Sequence, residues 1–336
     1  MPEFWTVAFP MPGQSENAAR RSEDAGWDGL FFPDTQCLSG DIYSAMCLAA
    51  KATTKLQIGT SVTNPVTRHP AVTASAISTV QVESGGRAVL GVGRGDSSMG
   101  YLGRKPAPAA QLETYIADVQ TYLRGDALDC DGYPSRIHWL DNYDIPKVPV
   151  EVAATGPRVI AIAARHADRI VLALGADRDR IADGMERARA ARDEAGVSEP
   201  LEFGAYVNIA CDDDIARGRD LIRGSTGTFA HFSGMSKASH AGQADADIFA
   251  HIGRTYDMAN HASGKGAHMR DVPDEFISRF GITGSIDYCV QRLGELIELG
   301  LSRMVLLTGS RDADPKAMAD NMRRVSGDVL PQLRGT

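Results

Sequence analysis

The sequence predicts a (β/α)8 barrel. Three observations carry that expectation: eight short runs rich in branched apolar residues, helix-like stretches in the intervals between them, and polar or glycine-rich segments directly after several of the runs. The candidate strands are 4–9, 29–32, 56–62, 88–92, 148–153, 169–174, 203–210 and 303–307. Period alone does not separate a buried strand from a buried helix, but each run is short and bounded by polar or turn-forming residues, as strands are. An open doubly wound sheet would also alternate strands and helices, but its usual phosphate fingerprint after the first strand is absent.

Helix signals occupy 15–25, 42–53, 70–83, 109–124, 157–166, 180–195, 213–224, 286–299 and 315–330. Gly26, Gly196 and Gly300 follow three of them, where a left-handed C-terminal cap wants glycine. Pro70 and Pro157 stand at first helical positions, where the missing N–H costs nothing. Two segments break the rhythm. The stretch 125–147 mixes Pro, Gly, Asp and aromatic residues, and reads as an irregular excursion at the barrel rim, with Trp139 and Tyr143 helping to cover the mouth. The stretch 225–284, with a helical piece at 244–262, reads as an insertion after the seventh strand that folds over the mouth as a lid. No repeat, low-complexity tract or linker divides the chain, so residues 1–336 are expected to form one domain.

Composition narrows the function. The chain has 336 residues, 43% hydrophobic and 23% charged, as in a globular protein with a sizeable core. A formal charge of -8 argues against a broad nucleic-acid or anionic-membrane surface, while leaving room for a local basic pocket. There is no basic start followed by an apolar core, and no apolar run approaches the roughly 20 residues of a membrane span. A cytoplasmic protein acting on a small molecule is expected. Cys37, Cys47, Cys130, Cys211 and Cys289 are odd in number and scattered, which reads as reduced thiols.

In a barrel, chemistry gathers at the carboxyl ends of the strands. Pro33, Asp34, Thr35 and Gln36 follow the second run. Ser61, Val62, Thr63 and Asn64 lie at the end of the third, and Gly93, Arg94, Gly95 and Asp96 follow the fourth. After the fifth come Thr155, Gly156, Pro157 and Arg158, opening a helix. Free N–H groups there would bind a phosphate, although the motif by itself favours a plain helix cap. Gly91-Val92-Gly93-Arg94-Gly95-Asp96 has G-x-G-x-G spacing and is not a dinucleotide fingerprint. Asp96-Ser97-Ser98 is also a helix start. Arg68 and His69 precede Pro70, so an exposed helix entry competes with a role for the His69 imidazole at the substrate. His231, His240, His251, His261 and His268 lack metal-ligand spacing and acidic partners, so no metal site is expected. A polar lid, in which Phe229, His231, Phe232, Met235 or Tyr256 touches substrate, is the preferred reading.

The block from Gly59-Thr60-Ser61-Val62-Thr63-Asn64-Pro65-Val66-Thr67-Arg68-His69-Pro70 to Gly91-Val92-Gly93-Arg94-Gly95-Asp96, with Gly85-Gly86-Arg87 between them, resembles the luciferase-like flavin and deazaflavin oxidoreductases. Within them it looks most like the methylenetetrahydromethanopterin reductase branch, which uses coenzyme F420. The resemblance runs from Gly26-Trp27-Asp28-Gly29 through Gly156 to 301–307. It implies that Thr155, Gly156 and Pro157 contact the cofactor phosphate, with Arg158 adding charge. It places Asp34, Thr63, Asn64, Gly93, Arg94 and Gly95 around the cofactor, with Asp34 also a catalytic candidate beside Asp96, and a non-proline cis peptide at Ser61-Val62 against the face of its ring. It puts Asp96 near the reacting ring, where a shielded carboxyl can give up a proton. Thr35 stands where relatives often carry a histidine, a departure that bears on substrate. The activity implied is hydride transfer between reduced coenzyme F420 and a small organic substrate with an electrophilic carbon or imine. The alternatives are a two-component monooxygenase using reduced FMN and oxygen, and a non-catalytic flavin-binding protein. A homodimer and a separate cofactor reductase are implied as well.

Overall fold

Branched and aromatic residues fit a pleated, buried surface, and the eight expected runs are all parallel strands in the computed structural model, which describes residues 1–235 and 243–335. They are β1 (Glu3–Val7), β2 (Gly29–Phe32), β3 (Gln57–Thr60), β4 (Ala88–Val92), β5 (Val150–Ala154), β6 (Arg169–Leu172), β7 (Glu202–Cys211) and β8 (Arg303–Leu307). Their order is β7-β8-β1-β2-β3-β4-β5-β6, and β6 also pairs with β7. The sheet closes on itself, so the fold is a (β/α)8 barrel. Around it lie α1 (Ser15–Asp24), α2 (Ile42–Ala52), α3 (Pro70–Ser84), α4 (Ala109–Leu123), α5 (Pro157–His166) and α6 (Arg178–Glu194). Gly26, Gly196 and Gly300 have φ of 80°, 66° and 92°, the left-handed conformation their positions after helices require. Among the described residues no helix is long and apolar enough to cross a membrane.

The barrel interior is graded along its axis. Side chains alternate along a strand, so positions two apart share the inner face. At the amino ends a buried ionic cluster closes the floor: Arg303 pairs with Glu3 and Glu151, and Arg169 pairs with Glu151 and Glu202. The Arg303 guanidinium lies 3.9 Å above the Trp5 ring, which contacts Phe31 at a centroid distance of 4.3 Å. Space for these rings comes from glycine on the adjacent strands. A Cβ on Gly29 would fall 2.2 Å from Trp5, and one on Gly59 2.4 Å from Phe31. At the carboxyl ends Val7, Ala153 and Ala173 are small, and with Tyr206 and Leu307 they form the bottom of a cavity.

Two segments depart from the sequence reading. The stretch 125–147 contains a hairpin of Leu128–Cys130 with Tyr133–Ser135 and a 3-10 turn at His138–Asn142. It connects the end of a helix to the start of a strand, so it lies at the amino end of the barrel, opposite the mouth. Gln81 donates to the Pro146 carbonyl at 2.9 Å, and Trp139 donates to Ser75 at 3.3 Å. Trp139 and Tyr143 therefore do not cover the mouth. In the second segment, the helix expected to stop at residue 224 continues as α7 (Ile215–Gly234). The run Ser225-Thr226-Gly227-Thr228 has poor helix propensity and reads as loop, but tertiary packing overrides it. A Cβ on Gly224 would meet the backbone of residues 262–264 at 2.5 Å, one on Gly227 the Met269 sulfur at 2.2 Å, and one on Gly234 the Phe249 carbonyl at 2.3 Å. The small residues bring α7 against α8 (Gln243–Thr255) and the 262–269 turn. The strand Ile282–Gly284 then pairs with the end of β7, and α9 (Ile286–Ile297) takes the place of the seventh outer helix. The last helical stretch is divided into α10 (Pro315–Arg324), a π turn at Val325–Val329, and Leu330–Arg334.

Gly29→Ala tests the packing of the floor. Trp5 is held by Phe31 and Arg303 and cannot swing away, so the substitution is expected to lower stability by about 1–3 kcal/mol. Gly294→Ala, within α9 and with nothing within 4 Å of the added methyl, is expected to raise stability by roughly 0.5–1 kcal/mol. Urea unfolding of both variants decides it; an unchanged midpoint for Gly29→Ala contradicts the account.

Candidate active site

A cavity of about 760 Å³ opens at the carboxyl ends of the strands. It gathers Asp34, Thr35, Ser61, Val62, Gly93, Arg94, Gly95, Asp96, Thr155, Gly156, Pro157 and Arg158, residues far apart in sequence. Opposite them α7 contributes Ser225, Thr228, Phe229 and Phe232, with Met235 directly after it. His261 and Arg311 complete that side.

The Ser61-Val62 peptide is cis. The chain here has left β3 and rejoins β4 through the single bridge from Thr63 to Val92. The neighbouring glycines permit this close approach: a Cβ on Gly91 would sit 2.0 Å from the Thr60 carbonyl oxygen, and one on Gly93 2.6 Å from a Val62 methyl. The G-x-G-x-G run is thus a surface on which the 60–63 bulge rests. Ser61 and Tyr206 hydroxyls lie 3.0 Å apart. Sequence reasoning misses Tyr206, whose one signal is a tyrosine near the middle of the seventh strand. Gly85 and Gly86, at φ of 66° and 94°, end α3 and turn the chain into β4, and the Arg87 guanidinium binds the carbonyls of Ala50, Thr53, Leu56 and Ser84. That ties α2 and α3 to the strands that carry the bulge.

Asp34 is buried, accepts a hydrogen bond from Thr63 at 2.8 Å, and has Arg68 at 3.7 Å. Burial raises its pKa, with Thr63 and Arg68 pulling the other way. Thr63 faces Asp34 and is fully buried, so its role is to orient that carboxyl. Asn64 is also fully buried; its carbonyl accepts from the amides of Val66 and Thr67, and its amide reaches Ser98. Neither lines the cavity. His69 caps α3 by accepting from the Ala71 amide at 3.2 Å and is exposed, away from the cavity wall, which corrects its expected contact with substrate. Thr35 does line the wall.

Asp96 starts the short helix Ser97–Gly100, yet its side chain makes no capping hydrogen bond. The carboxyl instead lies 3.5 Å from His231 Nε2 and 3.7 Å from His261 Nδ1, and its Oδ2 is buried without a partner. His231 stands behind Asp96, off the cavity wall, which corrects its expected place against substrate. Tyr256 stacks on His231 at 3.7 Å and its hydroxyl meets His261 Nδ1 at 2.7 Å. His240 lies outside the described residues. Among the described residues no three His, Cys, Asp or Glu side chains converge as a metal ion would need. Thr155-Gly156-Pro157 leads into α5 with no side chain capping it, and Arg158 is exposed beside it. The N–H groups and positive dipole end of that helix face the cavity and suit an anion.

Burial moves the His261 pKa down to about 4 from 6.5, against the pull of Asp96. Below pH about 6.5 the unfolded chain therefore takes up a proton that the folded chain refuses, and stability falls as pH drops toward 4. Between pH 7 and pH 5 this single group is expected to remove about 2 kcal/mol of stability. Urea unfolding of His261→Asn should show a smaller loss over the same interval; an equal loss contradicts the assignment.

Comparison with known proteins identifies the family and agrees with the fold. The luciferase-like monooxygenase family matches residues 10–303. The 5,10-methylenetetrahydromethanopterin reductase of Archaeoglobus fulgidus is 26% identical, with 95% of each chain covered. The F420-dependent glucose-6-phosphate dehydrogenase of Beutenbergia cavernae is 27% identical, with 93% of this chain and 91% of that protein covered. Among solved structures, the coenzyme F420 dependent tetrahydromethanopterin reductase of Methanopyrus kandleri superposes with a TM-score of 0.74 at 21% identity, with 99% of each chain covered. With a match that spans most of its length, the chain belongs to the luciferase-like monooxygenase family.

Proposed function

We propose that this protein is a coenzyme F420-dependent oxidoreductase that moves a hydride between the deazaflavin and a small organic substrate with an electrophilic carbon or imine. The observation that carries the reading is the meeting, in one cavity, of the Ser61-Val62 bulge, the Asp96 carboxyl and the amino end of α5. The relatives named for F420 extend over nearly the whole chain.

The residues fit the group. The cavity has the volume of a cofactor site, Val62 is seated against β4 by the absence of side chains at Gly91 and Gly93, and α5 with Arg158 offers a phosphate site. When bound, the deazaflavin supplies the hydride; the protein supplies position, dryness and a proton. Ser61 and Val62 would support the ring, with Tyr206 holding Ser61. Asp34, Thr35, Gly93, Arg94 and Gly95 would border it, Thr63 and Asn64 acting from behind, and Thr155, Gly156, Pro157 and Arg158 would take the phosphate. Asp96 would give its proton to the substrate atom that gains electron density. Phe229, Phe232 and Met235 would exclude water, with the described residues of the 225–284 segment, 225–235 and 243–284, acting as the lid. The same reading takes a homodimer in the cytoplasm, served by a separate cofactor reductase.

Fluorescence titration with coenzyme F420 and with FMN, each oxidised and reduced, tests the assignment. The expected result is at least tenfold tighter binding of the deazaflavin; tighter binding of reduced FMN with oxygen uptake overturns it in favour of monooxygenation. With reduced F420 and a panel of cyclic enones and imines, Asp96→Asn is expected to lower turnover about 100-fold or more while leaving F420 affinity within about twofold. Undiminished turnover would remove Asp96 from the chemistry.

A further inference from the structure

We propose that His261 is the hydrogen-bond donor that holds and polarises the reacting oxygen of the substrate, through an Nε2–H that Tyr256 fixes in place. This rests on the function proposed above and narrows its substrate to a carbonyl compound, a ketone or an enone, in preference to an imine.

The turn that carries the ring is tightly held. Ala262, the next residue, has φ of 58°, a left-handed conformation that a residue with a Cβ keeps only where its contacts enforce it. Those contacts come from the loop after β8. The Arg311 amide donates to the Ala262 carbonyl and its Nη2 to the Ala259 carbonyl, each at 2.9 Å. The Asp312 carboxylate accepts from the Ser263 hydroxyl and from the amides of Gly264 and Lys265.

Tyr256 settles where the ring carries its proton. Its hydroxyl lies 2.7 Å from His261 Nδ1, and its oxygen already accepts from the Ala262 amide. The Thr228 hydroxyl is 3.3 Å from the phenol and places its own proton on the Gly224 carbonyl. A basic ring nitrogen at 2.7 Å is a better acceptor for the phenol proton than a hydroxyl at 3.3 Å. Nδ1 therefore accepts, and the one proton of the neutral ring is on Nε2. Asp96, at 3.7 Å from Nδ1, is beyond hydrogen-bond reach and does not draw the proton to that side. Burial moves the His261 pKa down to about 4, against the pull of Asp96 and with His231, Arg311 and His268 adding to the fall. Around pH 7 the ring is neutral.

Nε2 has no partner among the described residues and is not one of the buried unpaired atoms, so it opens on the cavity that His261 lines. The Asp96 carboxyl lines the same cavity. A carbonyl oxygen has two lone pairs, one for the Nε2–H and one for the Asp96 O–H, whereas an imine nitrogen has a single lone pair and cannot take both. As a hydride reaches the electrophilic carbon, the π electron pair moves onto oxygen, the Asp96 O–H bond breaks, and a new O–H bond forms while the carboxylate keeps the electron pair. The substrate gains one hydride, which oxidises the deazaflavin by two electrons, and one proton. His261 keeps its own proton, because a neutral imidazole polarises by hydrogen bonding and is too weak an acid to let go.

Imidazole nitrogen NMR of the histidine-labelled full-length protein at pH 7, without cofactor, reads the tautomer directly. His261 is expected to show a protonated Nε2 and a bare Nδ1, and Tyr256→Phe is expected to give a mixture of both tautomers. A proton on Nδ1 in the unsubstituted protein, or an unchanged tautomer in Tyr256→Phe, overturns the assignment. With reduced F420 and cyclohex-2-enone, His261→Leu is expected to lower kcat/KM about 100-fold, and His261→Gln, whose amide reaches the place of Nε2, to recover at least about tenfold of that. Equal losses in the two variants, or a cyclic imine turned over with the same sensitivity to His261, overturn the proposal. Failure of the deazaflavin titration would defeat the functional reading and leave the tautomer in place; binding of the deazaflavin with the proton on Nδ1 would defeat this proposal alone.

Discussion

The site depends on a gradient of side-chain size along the inside of the barrel. Near the amino ends the interior is filled: Arg303, Glu151, Glu3 and Arg169 neutralise one another, and Trp5 and Phe31 occupy the level above. Buried charges of this kind are tolerated because each finds partners, and removing one partner would leave another unpaired at a cost of several kcal/mol. Near the carboxyl ends most inward positions carry valine, alanine and glycine, beside Tyr206 and Leu307, and the interior opens. The same closed sheet is a packed core at one end and a binding site at the other.

Glycine serves both ends for one physical reason, close approach. Gly29 and Gly59 admit the aromatic rings of the floor, and Gly91 and Gly93 admit the bulge at Ser61-Val62. A third set, Gly224, Gly227 and Gly234, brings α7 against its neighbours, so that Phe229 and Phe232 can face the cavity. Floor, bulge and cover are therefore set by backbone contact as much as by side-chain chemistry.

Most of the barrel was legible because each strand is a short branched run with turn residues on either side, and the boundaries of β2, β4 and β8 agree at both ends. The strand-end segments that gather around the cavity were legible from one rule, that parallel barrels present chemistry at carboxyl ends. Other features were hidden for identifiable reasons. Ser225 to Thr228 has the composition of a loop, and only its neighbours make it helical. The 125–147 excursion has the composition of a rim loop, but its place follows from connectivity, since a helix-to-strand connection returns to the amino end. His69 and His231 share a residue type and differ in surroundings: one caps an exposed helix, the other is buried behind an aspartate. Tyr206 is one aromatic among many until its hydroxyl is seen to meet Ser61.

The central claim is that the graded barrel receives a deazaflavin ring between the Ser61-Val62 bulge and Asp96, with its phosphate at the amino end of α5. A crystal structure of the protein with coenzyme F420 bound tests this most directly. The account predicts density for the ring against Val62 with Asp96 at its edge, and phosphate oxygens at the backbone of Gly156 and Arg158. A cofactor lying elsewhere, or one whose phosphate is held away from α5, would contradict it.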